Sequence, residues 1–115
     1  MRYTESIKEN RDFKRLYTKG KTVVNPSLAV YVRPNRLGKN RIGLTVGTKI
    51  GKAVCRNRIR RLIRESYRLQ EDMLRLGYDI VIVARVRAGH MDFWQIDAAL
   101  KELFGKLKLY KESAS

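Results

Sequence analysis

Four stretches of the chain carry the hydrophobic patterns of extended structure. Apolar and polar residues alternate along Leu28 to Arg33 and again along Arg41 to Thr48, as in strands that bury one face. Because the turn segment Pro34 to Asn40 joins them, these two runs are predicted to pair as antiparallel strands. Tyr78 to Ala84 is almost continuously apolar, which predicts a central strand. A shorter extended piece, Val23 to Pro26, comes before all three and ends in a turn.

The second face of the Arg41 to Thr48 strand carries unusually small residues. They are Gly43, Thr45 and Gly47, and the preceding strand adds the single ring of Tyr31. Side chains this small cannot fill a core of their own. We therefore expect this face to form the floor of a shallow groove.

A first helix is predicted from Arg11 to Lys19, with Asn10 as its N-cap and Gly20 closing it. An earlier start stays open, because Ser6 to Glu9 fits a capping box. One face of this helix is apolar, at Phe13, Leu16 and Tyr17. Spacing alone favours core packing for these rings.

A last helix is predicted to begin at Asp92, with Gln95 three residues further on completing a capping pair. Its apolar positions are Ile96, Leu100, Leu103, Phe104 and Leu107. Trp94 lies near this face and is expected in the core. With the helix described next, the elements follow the order α-β-β-β-α-β-α. This order predicts an α+β fold, an α/β sandwich in which helices cover one sheet.

The segment Lys52 to Arg68 is predicted to be a helix with two opposed faces. The apolar side holds Cys55, Ile59, Leu62, Ile63, Ser66 and Leu69. The opposite side holds Asn57, Arg60, Arg61, Arg64 and Arg68, with Arg56 and Arg58 on the flanks. Glu65 is the one acid, and it is expected to form ion pairs on the helix surface. Guanidinium groups fit phosphate oxygens and an amide can contact a base edge or a sugar hydroxyl, so this face favours nucleic-acid binding over a merely solvated charged surface.

Composition extends this interpretation to the whole chain. The chain has 115 residues and a formal net charge of +15, which suits one domain, residues 1–115, that binds a polyanion. Residues from about 111 to 115 are expected to be a flexible tail. A membrane surface is the weaker alternative, since no helix pairs a basic face with a spare apolar one. The longest apolar run, Ile80 to Ala84, is too short to span a bilayer, and no secretory signal is evident. Cys55 is the single cysteine, which fits a reducing cytoplasm.

Residues for unaided nuclease chemistry are missing from the sequence. The only histidine, His90, follows Gly89 in an expected surface loop, and the acids are scattered without metal-binding spacing. Gly47 to Lys52 lacks the glycine spacing of a phosphate loop. We therefore expect no catalytic residues and no small-molecule substrate, but a protein that binds RNA and leaves the chemistry to a partner.

The segment Thr45 to Arg68 closely resembles the motif of the bacterial ribonuclease P protein subunit. The matching positions are Lys49, Gly51, Ala53, Val54, Arg56, Asn57, Arg58, Arg60, Arg61 and Arg64. The likeness extends over nearly the whole chain, through Asp12 to Lys21, the strand at Leu28 to Tyr31, the Tyr78 strand and the final helix. Arg60 stands where lysine is commoner in the family.

The resemblance implies a fold, a partner RNA and a substrate. Family members accompany a catalytic RNA, which holds the catalytic Mg²⁺ and removes the 5′ leader from precursor tRNA. The fold resembles the second domain of ribosomal protein S5, with a left-handed βαβ crossover that the general rule would not predict. Residues expected to bind the catalytic RNA are Lys49, Lys52, Arg56, Asn57, Arg58, Arg60, Arg61, Arg64 and Arg68. The leader cleft is expected at Phe13, Tyr17, Tyr31 and Thr45, while metal contacts of the protein itself stay open.

Three other functions remain alternatives. A ribosomal or ribosome-assembly protein would also be a small basic α+β domain, and the RNA that co-purifies would separate the two. An autonomous metal nuclease is opposed by the scattered acids. A reader of duplex DNA would place the basic helix in a major groove, but its guanidinium density fits phosphate contacts better.

Overall fold

Residues 4–112, which the computed structural model describes, form one five-stranded sheet and three α-helices. The strands are β1 (Thr4–Ser6), β2 (Lys21–Val24), β3 (Leu28–Pro34), β4 (Asn40–Val46) and β5 (Tyr78–Ala84). Their order across the sheet is β1-β4-β5-β3-β2. β4 is parallel to both β1 and β5, whereas β3 is antiparallel to both β5 and β2.

The near-continuous apolar strand is central, as predicted, but the predicted pairing of its neighbours is wrong. β5 lies between β3 and β4, which therefore do not pair with each other. A strand that is apolar on both faces gains most in the middle of a sheet, so β5 separates the two half-polar strands. The chain leaves β4, crosses through the basic helix and returns as its parallel neighbour β5, which is the expected βαβ unit. Its left-handedness remains a prediction.

Helices cover both faces of the sheet. They are α1 (Asn10–Lys19), α2 (Ala53–Gln70) and α3 (Phe93–Lys106), with short 3₁₀ turns at Thr48–Ile50, Glu71–Met73 and Val86–His90. The main core lies between the sheet and α2 with α3, and includes Ile59, Ile63, Ile80, Ile82 and Leu100. A smaller cluster of Ile7, Leu16 and Val81 lies under α1 on the other face.

The sequence did not predict β1, and the alternative helix start at Ser6 is wrong. Ser6 pairs with Ile42 in the sheet, and α1 begins at Asn10 after Glu9. Three polar residues show no hydrophobic alternation, so they give no strand signal. Their position depends on distant contacts, such as the 2.8 Å hydrogen bond between the Thr4 and Tyr67 hydroxyls.

Two side chains lie elsewhere than predicted. Leu69 is exposed, and the buried end of α2 is instead formed by Tyr67, whose ring packs edge-on against Phe104. The Tyr67 hydroxyl can be buried because Thr4 satisfies it, and a helical wheel cannot show that partner. Trp94 is also exposed, with 75% of its surface accessible, and its ring meets that of Phe93 edge to face. The capping box of Asp92 and Gln95 is confirmed.

The C-terminal segment is bound to the domain as far as it is described. The backbone N–H of Lys111 donates to the carbonyl of Met73 at 2.8 Å. The predicted tail thus begins where the chain is still hydrogen-bonded to the 3₁₀ turn Glu71–Met73, and its remaining residues, 113–115, lie outside the described part. Its flexibility stays a prediction.

An ion-pair network connects α1 to two strands. The Arg41 guanidinium donates to both carboxylate oxygens of Asp79, at 2.8 and 2.6 Å, and lies 3.5 Å from Asp12 of α1. Burial alone would raise the pKa of Asp79, but hydrogen bonds from Arg41 and Asn35 outweigh it and lower that pKa below its ordinary value. The carboxylate is therefore a stabilising part of the fold at neutral pH.

We predict that Asp79→Asn lowers the free energy of unfolding by about 1.5–3 kcal/mol at neutral pH, because charge-assisted hydrogen bonds are lost. A lowered pKa in the folded state means that this contribution is present above the unfolded-state value, about 3.9, and disappears as pH falls through the folded-state value. Urea denaturation of the wild type and the variant should therefore converge in acid. Asp72→Asn, at an exposed position, is the matched control. A difference that is constant with pH would contradict this account.

Candidate nucleic-acid interface

The register of the sheet arranges the residues beneath α1 in rows across three strands. One row contains Tyr31 of β3, Val81 of β5 and Gly43 of β4. The next contains Ala29, Val83 and Thr45. Because side chains alternate between the faces of a strand, both rows face α1. They present one large ring among small and β-branched residues, which is the sparse face predicted from the sequence.

Phe13 fills the part of this face above Gly43. A Cβ atom on Gly43 would lie only 2.6 Å from the Cζ of Phe13, so the helix ring occupies the space that any larger residue would need. Around Gly47 the space is open. The predicted groove floor is therefore confined to the Thr45 end of β4, and Phe13 forms one of its walls.

Tyr17 lines the groove beside Phe13, and Tyr31 packs against Tyr17 from β3. The rings of Tyr17 and Tyr31 meet edge to face with centroids 4.9 Å apart. The Tyr17 hydroxyl is 2.6 Å from the Thr45 hydroxyl, which fixes the orientation of the ring. Tyr17 nevertheless keeps 40% of its surface exposed. The structure thus brings all four predicted cleft residues together and leaves part of the Tyr17 side chain exposed in the groove.

The groove follows an unpaired edge of β4. β1 covers β4 only from Asn40 to Ile42, and the chain then leaves the sheet towards α1. The lining residues are Asn10, Phe13, Tyr17, Leu44, Thr45, Val46 and Arg60. The Arg60 guanidinium reaches the Val46 carbonyl at 3.4 Å on this edge. The groove therefore offers rings, backbone polar groups and a cation side by side.

The outer face of α2 forms a basic concave surface that adjoins the groove. Its lining residues are Asn57, Arg60, Arg61, Arg64, Glu65 and Arg68. Arg61 and Arg64 are exposed and make no ion pair or hydrogen bond within residues 4–112. Arg60 donates to the Asn57 side chain at 3.0 Å as well as to β4, so it belongs to both surfaces.

Other cations of α2 already have structural partners. Arg58 is half-buried and donates to the Met91 carbonyl at 2.9 Å. Arg68 forms a fork with both oxygens of Glu65, as predicted for that acid, and the hydrogen bond lowers the pKa of Glu65 and raises the pKa of Arg68. The Nε of Arg56 is buried and has no acceptor in the described chain. The Arg58 and Arg68 guanidinium groups are thus less available than their number suggests, whereas Arg56 keeps an unused donor.

The start of α2 adds positive potential without a capping acid. Lys49 and Lys52 are exposed in the turn before the helix, and Lys52 occupies the N-cap position with no side-chain hydrogen bond to the helix. The first turn carries no acidic residue, so the positive potential of its free N–H groups adds to that of the two ammonium groups. Gly51, at φ 147°, permits the sharp turn of the backbone that places Lys49 and Lys52 beside the start of the helix.

Sequence reasoning missed the contributions of Asn10, Leu44 and Val46 to the groove. Asn10 was assigned to a helix cap, and the other two to a buried face, because only the topology shows that β4 has an open edge. His90 is exposed, as predicted. Across the described residues no group of three or more acidic, histidine or cysteine side chains could hold a metal ion. The helices within that range are too short or too polar for a bilayer span.

Comparisons with known proteins agree on one family. The sequence profile of the family Ribonuclease P matches residues 1–108. A ribonuclease P protein component of Caldanaerobacter subterraneus subspecies tengcongensis is 45% identical over 106 residues, which cover 92% of this chain and 91% of that protein. The RNase P protein of Staphylococcus aureus is similar in structure, with a TM-score of 0.86 and 36% identity over 92% of this chain and 97% of that one. For the Thermotoga maritima protein the values are 0.78 and 31%, over 85% and 93%.

Proposed function

The chain belongs to the family of ribonuclease P protein components, and from that premise we propose that its two adjoining surfaces bind two different RNAs. As a member of this family it is a subunit of the ribonucleoprotein that removes 5′ leaders in tRNA processing. The position of Arg60 supports the proposal of two adjoining RNA-binding surfaces, because this residue lies between the aromatic groove and the basic face of α2.

The basic face of α2 is proposed to bind the catalytic RNA, together with the residues that flank this face and precede the helix. The proposed contacts are Lys49, Lys52, Arg56, Asn57, Arg58, Arg60, Arg61, Arg64 and Arg68. The exposed and unpaired guanidinium groups of Arg61 and Arg64 suit contacts to phosphates, which depend on charge and not on base sequence. The half-buried Arg58 and the paired Arg68 would contribute through their remaining donors.

The groove is proposed to bind the single-stranded 5′ leader of precursor tRNA, through Phe13, Tyr17, Tyr31 and Thr45. Leaders differ in sequence, and stacking on aromatic rings tolerates any base. The exposed part of Tyr17 can accept a base while Arg60 contacts the adjoining phosphate. We further propose that the Mg²⁺ ions of the reaction are held mainly by the RNA and that the complex acts in the cytoplasm.

The test of this function is cleavage of a precursor tRNA by the protein alone, the catalytic RNA alone and the reconstituted complex. We expect no cleavage by the protein alone and the most efficient cleavage by the complex at low Mg²⁺. A protein that instead co-purifies with and binds ribosomal RNA in preference to the catalytic RNA would favour the ribosomal alternative. Mg²⁺-dependent cleavage by RNA-free protein that is lost on substitution of acidic residues would contradict the proposal.

We predict that replacing both Arg61 and Arg64 by Ala weakens binding to the catalytic RNA and flattens its salt dependence. Each lost phosphate contact should reduce the slope of log K against log salt by about 0.7 to 0.9. Titrations over a range of KCl concentrations measure the slope, and Arg87→Ala, at another exposed arginine, is the control. An unchanged slope in the folded double variant would mean that this face is only solvated surface.

We predict that Tyr17→Ala weakens binding of the reconstituted complex to precursor tRNA by about 1–3 kcal/mol, since a stacked base is lost. Tyr17→Phe keeps the ring and removes the hydroxyl that contacts Thr45, so it should retain most of the affinity. Tyr31→Ala should resemble Tyr17→Ala, whereas Trp94→Ala, at an exposed ring outside the groove, should have no effect. Mature tRNA has no leader, and equal losses for mature and precursor tRNA would count against stacking in the groove.

A further inference from the structure

Trp94 is the largest side chain that the fold leaves mostly uncovered among residues 4–112, and it belongs to neither of the two proposed surfaces. It is the second residue of α3, and 75% of its surface is accessible. Tryptophan is usually well buried, and where it is exposed it is typical of contact surfaces. We propose that Trp94 stacks on an unpaired base of the catalytic RNA, which extends the proposed RNA-binding face of α2 and rests on that proposed function.

The start of α3 holds the Trp94 ring in place without covering it. The neighbouring ring of Phe93 is half-buried and meets the indole edge to face, with centroids 5.2 Å apart. Asp92 caps the helix by accepting the Gln95 N–H at 2.8 Å, and Gln95 returns a hydrogen bond to the backbone of Asp92. A side chain that is restrained in this way loses little conformational freedom when a ligand binds.

Two contacts place Trp94 beside α2. Arg58 of α2 donates to the Met91 carbonyl at 2.9 Å, just before α3, and Ser66 donates to the Asp97 carboxylate at 2.7 Å. Trp94 lies between Met91 and Asp97 in the chain, so it is level with the middle of α2. Asp97 is about 60° from Trp94 around the helix, which puts the indole on the outer surface of α3 next to the packing contact with α2.

The charges on this side of the two helices complement an RNA backbone. Arg61 and Arg64, in the middle of α2, are exposed and make no ion pair or hydrogen bond within residues 4–112. The acids on either side of Trp94 are occupied: Asp92 caps α3, and Asp97 pairs with a lysine one turn later at 2.8 Å. Axes of packed helices lie about 8–10 Å apart, so one short RNA segment can reach the indole and these guanidinium groups together.

The surroundings of the ring suit a nucleobase better than a protein partner. The exposed residues next to Trp94 on α3 are Gln95, Ala98 and Lys101, so the helix presents one ring and not an apolar patch. A stable protein contact buries about 800 Å² on each partner around an apolar centre. A second copy of this chain would also be repelled by its charge of +15. An unpaired base needs only one aromatic ring on which to stack.

The first test uses the intrinsic fluorescence of the full chain. Trp94 is the only tryptophan, so emission under excitation selective for tryptophan reports on this ring alone. We expect added catalytic RNA to quench the emission and to abolish most of its further quenching by acrylamide. An indole that stays as accessible to acrylamide in the saturated complex as in the free protein would contradict the proposal.

The second test measures the affinity for the catalytic RNA over a range of KCl concentrations. Trp94→Ala should weaken binding about five- to fiftyfold, whereas Trp94→Phe should retain most of the affinity. Trp94→Leu keeps apolar bulk without an aromatic ring, so it should lose as much as Trp94→Ala. The slope of log K against log salt should not change, because no phosphate contact is lost. Leu37→Ala, at an exposed apolar residue between β3 and β4, is the matched control.

Thermal melts verify that each variant is folded, and the remaining outcomes separate this contact from other functions. Complexes assembled at saturating protein should bind precursor tRNA equally well with Trp94→Ala and wild type, since the ring lies outside the leader groove. Unchanged affinity of folded Trp94→Ala for the catalytic RNA would overturn the stacking contact and leave the basic face of α2 intact. Full affinity in Trp94→Leu would also overturn it, because apolar contact would then suffice.

A protein partner and a failure of the proposed function give different results again. Self-association that Trp94→Ala abolishes, with RNA binding unchanged, would assign the ring to a second copy of the chain and refute the contact with RNA. If the wild type does not bind the catalytic RNA, the proposed function fails together with this inference.

Discussion

The close approach of α1 to the sheet is the contact on which both the fold and the proposed leader groove depend. It is possible because Gly43 has no side chain at the point where the Phe13 ring descends. A helix seated further out would separate the Tyr17 hydroxyl from Thr45 and the Tyr17 ring from Tyr31. The cluster under α1 is small, so the ion pairs of Arg41 supplement apolar burial in holding this helix. The proposed leader groove and a weakly buried helix are thus two results of the same sparse strand face.

α2 reconciles a core-forming face with a high density of positive charge. Its buried residues pack between the sheet and α3, whereas its cations point away and fall into two classes. Arg58 and Arg68 are bound to a carbonyl and a carboxylate, which reduces the repulsion among neighbouring guanidinium groups. Arg61 and Arg64 make no such contact within the described residues, and we have proposed that they contact the catalytic RNA. A folded chain of this composition repels itself most when compact, and a polyanion relieves that repulsion.

Patterns within single segments were sufficient for much of the fold. The alternation of apolar and polar residues located β3 and β4, and the continuous apolar run identified the central strand. A helical wheel of α2 distinguished its basic face from its buried one. The order of the strands could not be predicted from single segments. It depends on whether β3 pairs with β4 in a hairpin or whether β5 comes between them after the crossover. The strand β1 gave no signal at all, since its position depends on Tyr67 and on the edge of β4.

The proposed site shows the same limit at the level of side chains. Sequence could group Phe13, Tyr17, Tyr31 and Thr45 by the sparse face and by resemblance, and the fold brings these residues together. It could not distinguish cations that serve the structure from cations left free, because Arg41 and Arg33 occupy similar alternating positions and differ only in their neighbours across the sheet. Arg41 faces acids from two elements, whereas Arg33 keeps a buried nitrogen without an acceptor. Net charge indicates a polyanionic partner. Only the hydrogen bonds and ion pairs of each guanidinium group show which arginines are free to contact the phosphates of that partner.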